Sequence, residues 1–559
     1  MADAPLLLAL PSDEIRSLMW RFAERYDLQM VSQAARSVAR STVATLVAAG
    51  ERNTHTWTKG KQSLLDAFDQ AQLSNIFFDP ENGGLIEGPK NMALALCTFE
   101  LAWVDGGAAT CLMAGNLALS PIHEKGTSAQ KNRFMNVASK TKDGQPWRGA
   151  FALTEPLPFA GVDAAALAGT MEVINPSDLN LPDGPSENIS PDQMPKLRIR
   201  KRGRFITGMA FANFVTAAVE AKGEKLKGSA MVILEEGDPG TFDRGTPTHK
   251  LVHQLSSTRD PNFSLEVPAD RIIGGFDVKD GVILPRCNHG EVIEAVFRRT
   301  RVTVGIMSAA KVLSAIEPLI QYQRSRFRGG DLAAGSPRYD LGLQQKEDCV
   351  IRLARVAAVG EAAASLGFAA ARAFDEFHTV EKENAIYCQN HQLKGRMLLR
   401  AIKQHTPTAI NYMATHDEQL IAGEEGTFIR FLIRDALVQV LCPAVKLWNT
   451  WQGQRAMREA VSLMGGYGIT EDSPGFLMNK WVDTQLEATY EGPEAVQRRQ
   501  LSITMASPIF LKQVELWQNE LQNQEKEFSN LGLSLIRLAF AVWAKALAYT
   551  KNQQDAQGA

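Results

Sequence analysis

The sequence predicts an α+β protein in which helical and β regions follow one another along the chain. Three observations predict this class. Helical periodicity covers the first part of the chain to about Arg148, short β-branched segments begin at Gly149, and helical periodicity returns after about Glu291. Separate runs of this kind indicate segregated helical and β layers, because a parallel sheet would need strands and helices in alternation.

Residues 1–148 are predicted to form an N-terminal helical domain. The segment NMALALCTFELAWVDGG, which starts at Asn91, is a long run of helix-forming residues that stops at a glycine pair. The first residues include only a short apolar run and no basic leader. We therefore expect no signal peptide.

Residues 149–290 are predicted to form a central β domain, followed by a C-terminal helical domain over 291–500 and a helical extension over 501–559. The β domain is indicated by GAFALTEP, KLRIRKRGRFITG, FVTAAVEA and SAMVILEE, which are short alternating or β-branched segments between turn residues. A polar, proline-rich stretch from Asn175 to Pro195 is predicted to be a surface excursion.

The composition excludes several classes of function. A formal net charge of −2 gives no electrostatic case for binding nucleic acid or an anionic membrane. The six cysteines are scattered, which argues against a disulfide framework and favours a reducing, cytoplasmic location. His249 and His253 lack the glutamate of a zinc-binding H-E-x-x-H motif, so we expect no metal. The apolar run from Leu531 to Leu547 contains Arg537 and Lys545, which favours a packing helix over a membrane span.

The most informative segment is MGGYGITEDSPGFLMNKWVDTQLEATYEGPEAVQRRQ, which runs from Met464 to Gln500. It resembles the end of the last helical domain of acyl-CoA dehydrogenases, which carries a glycine run, an acidic residue, an aspartate, and then a Tyr-Glu-Gly element followed by Gln-Arg. The matching residues here are, in order, Gly465, Gly466, Gly468, Glu471, Asp483, Tyr490, Glu491, Gly492, Gln497 and Arg498.

Three further motifs resemble the same family and occur in the family's order. The first is Ala152 to Pro156, followed after two extra residues by Ala160-Gly161-Val162-Asp163. The second is Phe205-Ile206-Thr207-Gly208, where the family usually has Trp-Ile-Thr-Asn, and the third is Arg324-Ser325-Arg326-Phe327. Together with the C-terminal motif, they extend the resemblance over roughly residues 94–500.

The resemblance implies an acyl-CoA dehydrogenase-like fold: an N-terminal helical domain, a central β-barrel-like domain and a C-terminal helical bundle, here with extra C-terminal helices. It also implies an FAD-dependent oxidoreductase that converts an acyl-CoA to the 2,3-enoyl-CoA. Glu491 would be the catalytic base. The family's alternative position for a base corresponds to Thr300, which precedes Arg301 and cannot serve as a base. The implied partners are an acyl-CoA, an electron-transfer flavoprotein and further copies of the chain in a homodimer or homotetramer.

Several other residues acquire implied roles from the same correspondence. Those that would contact FAD are Leu153, Thr154, Phe205, Thr207, Arg324, Phe327, Gly465 and Gly466, with Arg324 reaching the FAD of a neighbouring subunit. Those that would line the substrate site are Arg301, Val162, Tyr490 and Gly492, with Arg301 near the CoA end of the acyl pocket.

The chemistry explains why such residues would be required. Desaturation removes the α-hydrogen as a proton and the β-hydrogen as a hydride. A carboxylate shielded from water has a raised pKa and can accept the proton. Donors near the thioester oxygen stabilise the developing enolate. The hydride goes to the flavin, so the protein mainly supplies position.

Each motif also has an ordinary structural interpretation. A Tyr-Glu-Gly element is usually a solvated helix end, the glycine run could simply end a helix, and Arg324 belongs to an arginine-rich patch that could be a solvated face. Their shared order favours the functional interpretation.

The chain departs from the family at several positions. Pro493 replaces the usual threonine after Glu-Gly, Ser462 replaces a glutamine, and Val162 replaces a serine. No arginine follows Val104-Asp105, which disfavours a short dicarboxylic substrate, and a bulky apolar or cyclic acyl group is preferred.

Two alternatives remain open. An acyl-CoA oxidase would use oxygen as the acceptor, and the C-terminal extension is compatible with it. A non-catalytic interaction protein could have kept the fold and lost the chemistry, as Pro493 and Ser462 suggest.

Overall fold

The computed structural model describes residues 25–139, 146–159, 166–176, 181–326, 333, 335–470, 475–527 and 530–557. Val162, Phe327 and Glu471, which the sequence analysis singled out, lie outside the described residues. The chain divides into two compact units. The first contains Met1–Ala371 and Val445–Val496, and the second contains Arg372–Ala444 and Gln497–Ala559.

The first part of the first unit is helical. Its described helices are α1 (Tyr26–Val38), α2 (Ala44–Ala48), α3 (Lys59–Gln70), α4 (Lys90–Val104), α5 (Gly106–Lys125) and α6 (Ser128–Ser139). The α4 sequence is apolar on almost every side, and the helix is correspondingly buried. Asp105 separates α4 from α5 and caps α5, because its side chain accepts a hydrogen bond from the backbone N–H of Ala108 at 3.0 Å.

The middle of the first unit is built from strands. They are β1 (Gly149–Ala152), β2 (Thr170–Val173), β3 (Gly184–Pro185), β4 (Lys196–Arg202), β5 (Phe214–Lys222), β6 (Ser229–Glu235), β7 (Gly240–Pro247), β8 (Arg259–Pro268), β9 (Phe276–Lys279) and β10 (Val282–Pro285). A seven-stranded curled sheet has the order β1-β5-β2-β4-β8-β7, with β6 paired to β5. The strand β5 pairs in parallel with β1 through Phe214–Ala217 and with β2 through Glu220–Lys222.

A second sheet has three strands in the order β10-β9-β3. Its strand β3 comes from the proline-rich stretch and pairs with Asp277 and Val278 of β9. The stretch that was predicted to be a surface excursion is therefore tied to the β domain by this two-residue pairing. Ile189, in the same stretch, is buried in the core of the β domain.

The rest of the first unit is helical again. It contains α7 (His289–Ser314), α8 (Ile316–Ser325), α9 (Pro337–Leu341), the first part of α10 (Glu347–Asn390), the last part of α12 (Glu424–Leu463), and α13 (Leu477–Thr489). The helix α7 begins with a capping box, in which Asn288 and Glu291 each accept a hydrogen bond from the other's backbone N–H. The predicted α+β class and the order of its helical and β regions are confirmed.

The second unit combines the segment before Ala444 with the segment after Val496. Its other helices are α11 (Arg396–Thr415), α15 (Pro508–Glu527), α16 (Leu531–Gln557) and α14 (Glu494–Thr504), of which α14 begins in the first unit. Ile509 of α15 joins an apolar core with Phe428 of α12 and Ala409 of α11. The predicted extension over 501–559 is therefore helical, and it completes a core that the segment before Ala444 only partly forms. The four-domain division itself stays a prediction.

Two described stretches are long and apolar enough to cross a membrane by length and composition alone. The stretch His289–Ser325 is mostly buried inside the first unit, as a core helix is. The stretch Leu531–Thr550 is exposed, although Phe540 and Trp543 on one side of it pack with Phe510 and Trp517 of α15. Two such helices are weak evidence for a membrane span.

Candidate active site

The helix α13 ends in an unusual backbone turn that presents Glu491. Tyr490 closes the helix, since its backbone N–H donates to the carbonyl of Leu486 at 3.0 Å. Glu491 and Gly492 then both have positive φ angles, +55° and +94°. Glycine adopts this region readily, whereas a glutamate does so only where its surroundings hold it there. Such a non-glycine residue is a reason to look for function at this position.

The carboxylate of Glu491 is held by a side chain of another helix. Thr300 of α7 donates from its hydroxyl to Oε2 of Glu491 at 2.7 Å. The residue is partly buried, and burial raises the pKa of Glu491 above its ordinary value. The hydrogen bond from Thr300 and the positive charges of Lys446 and Arg301 offset part of that rise. A shielded carboxylate with a raised pKa has the properties of a general base.

Two cationic side chains bind the backbone at this turn. Arg301 of α7 donates from Nε to the carbonyl oxygen of Glu491 at 3.1 Å, and Lys446 of α12 donates from Nζ to the carbonyl oxygen of Gly492 at 2.8 Å. Both side chains are buried, and the guanidinium of Arg301 also lies over the ring of Phe297 at 5.7 Å. The structure therefore places Arg301 beside the backbone of Glu491. Its implied role near the CoA end of the substrate stays a prediction.

A buried polar cluster lies behind Tyr490. His253, which is fully buried, shares a hydrogen bond between Nδ1 and the hydroxyl of Thr110 at 2.9 Å, and its ring lies edge-on to the ring of Tyr490 with centroids 6.2 Å apart. Its Nε2 lies 3.4 Å from Oε1 of Glu487. The carboxylate of Glu487 also forms an ion pair with Lys311. Although burial opposes ionisation of Glu487, the charge of Lys311 and the contacts with His253 lower its pKa.

The same cluster continues to a second buried carboxylate one helical turn earlier on α13. Asp483 accepts from the backbone N–H of His253 at 3.0 Å and from Arg52 at 3.1 Å, and Arg52 also binds Asp105 at 2.8 Å. The cluster is tightly packed, because a Cβ atom added at Gly106 would lie 2.8 Å from Nε2 of His253. The aspartate of the C-terminal motif therefore has a structural role, since it ties α13 to the start of α5.

The predicted flavin-contacting residues of the β domain lie together on neighbouring loops. The carbonyl of Thr154 accepts from the backbone N–H of Arg204 at 2.9 Å, next to Phe205. The carbonyl of Leu153 accepts from Lys201 at 3.1 Å. Backbone hydrogen bonds on both sides of Thr207, from Ile206 to the strand β8 and from Gly208 to Ser256, fix the second loop. Leu153, Thr154, Phe205 and Thr207 are thus brought to one region of the β domain.

Phe205 has an unusual backbone angle and an unusually exposed ring, and both are expected of a residue that is held in place to bind a ligand. Its φ is +62°, and its side chain is 51% exposed, although apolar rings are normally buried. The strained backbone is fixed by Asp260, whose Oδ1 accepts from the N–H of Phe205 at 3.0 Å. The ring of Phe205 is thus held at the surface, where the guanidinium of Arg204 lies over it at 4.5 Å.

Arg324 and the glycine run lie near each other. None of the contacts of the described residues joins either of them to Glu491. Arg324, near the end of α8, donates from Nε to Gln344 at 3.3 Å, and its Nη2 is buried without a described hydrogen-bond partner. The rings of Tyr322 and Tyr467 lie 5.9 Å apart and connect α8 to the turn after Gly465. Gly465 has a φ of +61° at the end of α12, which by itself explains a glycine there, whereas a Cβ atom at Gly466 would meet open space.

The sequence analysis missed several residues around Glu491. Thr300 was recognised only as the residue that cannot be a base, yet it is a hydrogen-bond partner of the carboxylate. Lys446 and Glu487 carried no motif, and His253 was considered only as a metal ligand together with His249. Their only sequence signal was a charged or polar residue within an apolar helical or strand-rich context, and that signal is common at protein surfaces. His249, which was considered with His253 as a metal pair, stacks instead on His55 with ring centroids 4.7 Å apart.

Comparison with known proteins gives matches to one family in two separate segments of the chain. Residues 26–140 match the model of the N-terminal domain of acyl-CoA dehydrogenases, and residues 428–505 match the model of the C-terminal domain. The short-chain-specific acyl-CoA dehydrogenase of Megasphaera elsdenii is 29% identical over 218 residues, which are 38% of this chain and 50% of that protein. The chain therefore aligns with about half the length of this curated relative.

Solved structures show the same fold at low sequence identity. Butyryl-CoA dehydrogenase from Megasphaera elsdenii is 19% identical with a TM-score of 0.58, over 86% of this chain and 98% of that one. An acyl-CoA dehydrogenase complexed with FAD from Bacillus anthracis is 17% identical with a TM-score of 0.61, over 90% and 70%. Nitroalkane oxidase of Podospora anserina is 16% identical with a TM-score of 0.59, over 91% and 98%. The fold is thus shared by enzymes with more than one substrate class.

Proposed function

The chain belongs to the acyl-CoA dehydrogenase superfamily, and on that premise we propose that it oxidises an acyl-CoA thioester to the 2,3-enoyl-CoA with Glu491 as the base. The observation that carries the proposal is the placement of Glu491, a partly buried carboxylate at a positive φ angle, held by Thr300 and flanked by two cations. In this reaction the Cα–H and Cβ–H bonds break and a carbon–carbon double bond forms. FAD, when bound, accepts the β-hydrogen with its electron pair.

Glu491 would receive the α-proton. Burial raises its pKa, which makes it a stronger base than an exposed carboxylate, and the hydroxyl of Thr300 fixes one of its oxygens. Because Arg301 and Lys446 bind the two carbonyl groups of the turn, the side chain is presented from a rigid backbone. Rigid placement matters because catalysis depends on the reacting atoms being held within about 3–3.5 Å. Tyr490 and Gly492, its neighbours in the chain, are the proposed substrate contacts.

The residues proposed to hold FAD fit that cofactor by two independent observations. The half-exposed ring of Phe205 suits contact with a planar ring system at the part that the guanidinium of Arg204, 4.5 Å away, does not cover, and Leu153, Thr154 and Thr207 are the other proposed contacts. The buried Nη2 of Arg324 has no described hydrogen-bond partner, which suits a pyrophosphate. In the proposal, Arg324 with Gly465 and Gly466 serves the FAD of a neighbouring copy, which makes the enzyme an oligomer.

The identities of the acyl group and of the electron acceptor are the most specific parts of the proposal. A bulky or cyclic acyl group stays a prediction, and the polar cluster of Thr110, His253 and Glu487 behind Tyr490 adds no support for it. An electron-transfer flavoprotein is the proposed acceptor. The alternatives remain an oxidase that uses oxygen and a protein that kept the fold without the chemistry.

The decisive experiment is the variant Glu491→Gln in the protein reconstituted with FAD. We expect the variant to bind flavin normally and to lose the bleaching of flavin absorbance by acyl-CoA under anaerobic conditions. Glu361→Gln, at an exposed position of α10, is the matched control and should bleach at the wild-type rate. Normal bleaching by Glu491→Gln would refute the assignment of the base.

The substrate screen for that experiment should include linear, branched, alicyclic and aromatic acyl-CoAs. Oxygen consumption with peroxide formation on adding the active acyl-CoA would favour the oxidase. A purified protein that takes up no FAD and responds to none of the acyl-CoAs would favour the non-catalytic alternative.

A further inference from the structure

Lys446 is a buried lysine placed in the middle of the long helix α12. Its side chain is 1% exposed. Its described hydrogen bonds go to backbone carbonyl groups, that of Gly492 at 2.8 Å and that of Ala488 at 3.5 Å. Removing an ammonium group from water costs several kcal/mol, so a buried lysine needs a nearby negative charge or strong acceptors. The acceptors here lie in the last turn of α13 and in the turn after it, which carries Glu491.

The charged groups around this lysine come from three other helices and from the turn after α13. Glu491, in the turn after α13, and Arg301 of α7 have the largest influence, and Glu487 of α13 and Glu494 of α14 contribute less. Burial lowers the pKa of Lys446 to about 8, and the nearby negative charge of Glu491 limits that fall. At neutral pH the ammonium therefore remains largely charged and acts electrostatically on the proposed base. Glu487 has its own cation in Lys311, so it does not replace Glu491 as the partner of Lys446.

The hydrogen bonds of Lys446 also explain how the turn is held. The backbone of Glu491 and Gly492 has two successive positive φ angles, and this conformation costs energy at the glutamate. Arg301 binds the carbonyl of Glu491 and Lys446 binds the next carbonyl along the chain. Two cations on two different helices therefore clamp consecutive peptide groups.

We propose that Lys446 is a positioning residue of the reaction, which fixes the Glu491–Gly492 turn through its hydrogen bond and keeps the base ionised through its charge. The inference rests on the proposed function of Glu491. The mechanism is electrostatic: a positive charge next to a buried carboxylate favours the ionised form, and only the ionised form accepts the α-proton. Lys446 itself need not touch the substrate.

Three variants of Lys446 separate the role of its hydrogen bond from the role of its charge. Lys446→Gln keeps a hydrogen-bond donor and removes the charge, Lys446→Met removes both, and Lys446→Arg keeps the charge. The measurement is the pH dependence of the rate of flavin bleaching by acyl-CoA. We expect the acidic limb to move to higher pH in Lys446→Gln, with a rate about tenfold lower at a fixed pH on that limb. Lys446→Met should show the same shift and a further loss of rate, and Lys446→Arg should restore the wild-type profile.

Lys480→Met is the matched control. Lys480 is another buried lysine of the first unit, with a pKa lowered to about 7 by burial, and it binds Ser314 at 2.8 Å. Its removal tests the general effect of losing a buried ammonium. We expect the acidic limb of this control to stay at the wild-type position. A Lys446→Gln profile that coincides with the wild-type profile, or a Lys480→Met profile that shifts equally, would overturn the proposal.

A second readout does not depend on turnover. Infrared difference spectra recorded against Glu491→Gln identify the carboxylic-acid C=O band of Glu491. In Lys446→Gln this band should appear at a higher pH than in the wild type, and an unchanged titration would count against the proposal. If no acyl-CoA bleaches the wild-type flavin, the proposed function fails, whereas the infrared titration still tests the influence of Lys446 on Glu491.

Discussion

Replacement of Arg52 by methionine tests whether the buried cluster beneath α13 holds the first unit together. Arg52 is 3% exposed and lies between two buried carboxylates, with Asp105 at 2.8 Å and Asp483 at 3.1 Å. Removing one partner of a buried pair leaves an uncompensated charge, which costs about 3–5 kcal/mol. We expect Arg52→Met to lower the free energy of unfolding of the first unit by about that amount at neutral pH.

The effect should depend on pH through Asp483. Burial opposes ionisation of Asp483, but the positive charge of Arg52, the contacts with His253 and the positive charge of Lys311 hold its pKa at about 2, below the ordinary 3.8. A carboxyl with a lowered folded-state pKa stabilises the fold above its unfolded pKa, and this contribution is lost as the pH falls through the folded pKa. The shift corresponds to roughly 2 kcal/mol. Without Arg52 the pKa of Asp483 rises, so the difference in stability between wild type and variant should narrow below about pH 5.

The assay is amide hydrogen exchange of Leu477–Thr489 in urea, since it reports on α13 without assuming that both units unfold together. Arg198→Met is the matched control. Arg198 also lies between two carboxylates, Glu172 at 3.6 Å and Glu266 at 3.2 Å, but it is 39% exposed and should contribute less than about 1 kcal/mol. The reasoning fails if the two variants lose equal stability, or if the Arg52→Met deficit is the same at neutral and acid pH.

Two further predictions concern glycine and aromatic positions of the first unit. Gly106→Ala should destabilise the first unit by about 1–3 kcal/mol, because the new Cβ atom would lie 2.8 Å from Nε2 of His253. In the control Gly115→Ala, in the same helix, the new Cβ atom meets open space, so this variant should be neutral or stabilising. Equal melting temperatures for the two variants would contradict the prediction. Phe205→Ala should weaken FAD binding about tenfold in equilibrium titration and leave the melting temperature of the FAD-free protein unchanged, because the ring is half-exposed. Undiminished FAD affinity would remove Phe205 from the proposed cofactor site.

The part of the site that could be predicted from sequence is the part encoded by neighbouring residues. The Tyr490-Glu491-Gly492 element lies within three positions, and its motif identified the residue that the structure holds in a strained turn. The motif that contains Phe205 and Thr207 is local in the same way, and the contact of these residues with FAD stays a prediction. The separate runs of helical and β periodicity likewise predicted the helical and β layers, because periodicity is a local property of the sequence.

The remaining partners of Glu491 could not be predicted, because they depend on long-range packing. Lys446 and Thr300 come from two other helices, α12 and α7. The resemblance marked Thr300 only as a position that cannot supply a base, and nothing in the segment around Lys446 points toward Glu491. A buried lysine and a surface lysine look alike within an amphipathic helix. The strand β3 was missed for a related reason, since Gly184–Pro185 has a turn composition and becomes a strand only by pairing with β9.

The composition of the second unit has a consequence for biosynthesis. That unit is assembled from Arg372–Ala444 and Gln497–Ala559, and the segment between them carries Glu491. During translation the apolar side chains of Phe428 and Ala409 emerge well before Ile509, with which they share a core. The segment that carries Glu491 is therefore synthesised before the second unit has both of its pieces. A chain that ended before residue 509 would leave this apolar surface without Ile509, and exposed apolar surface of this kind favours aggregation.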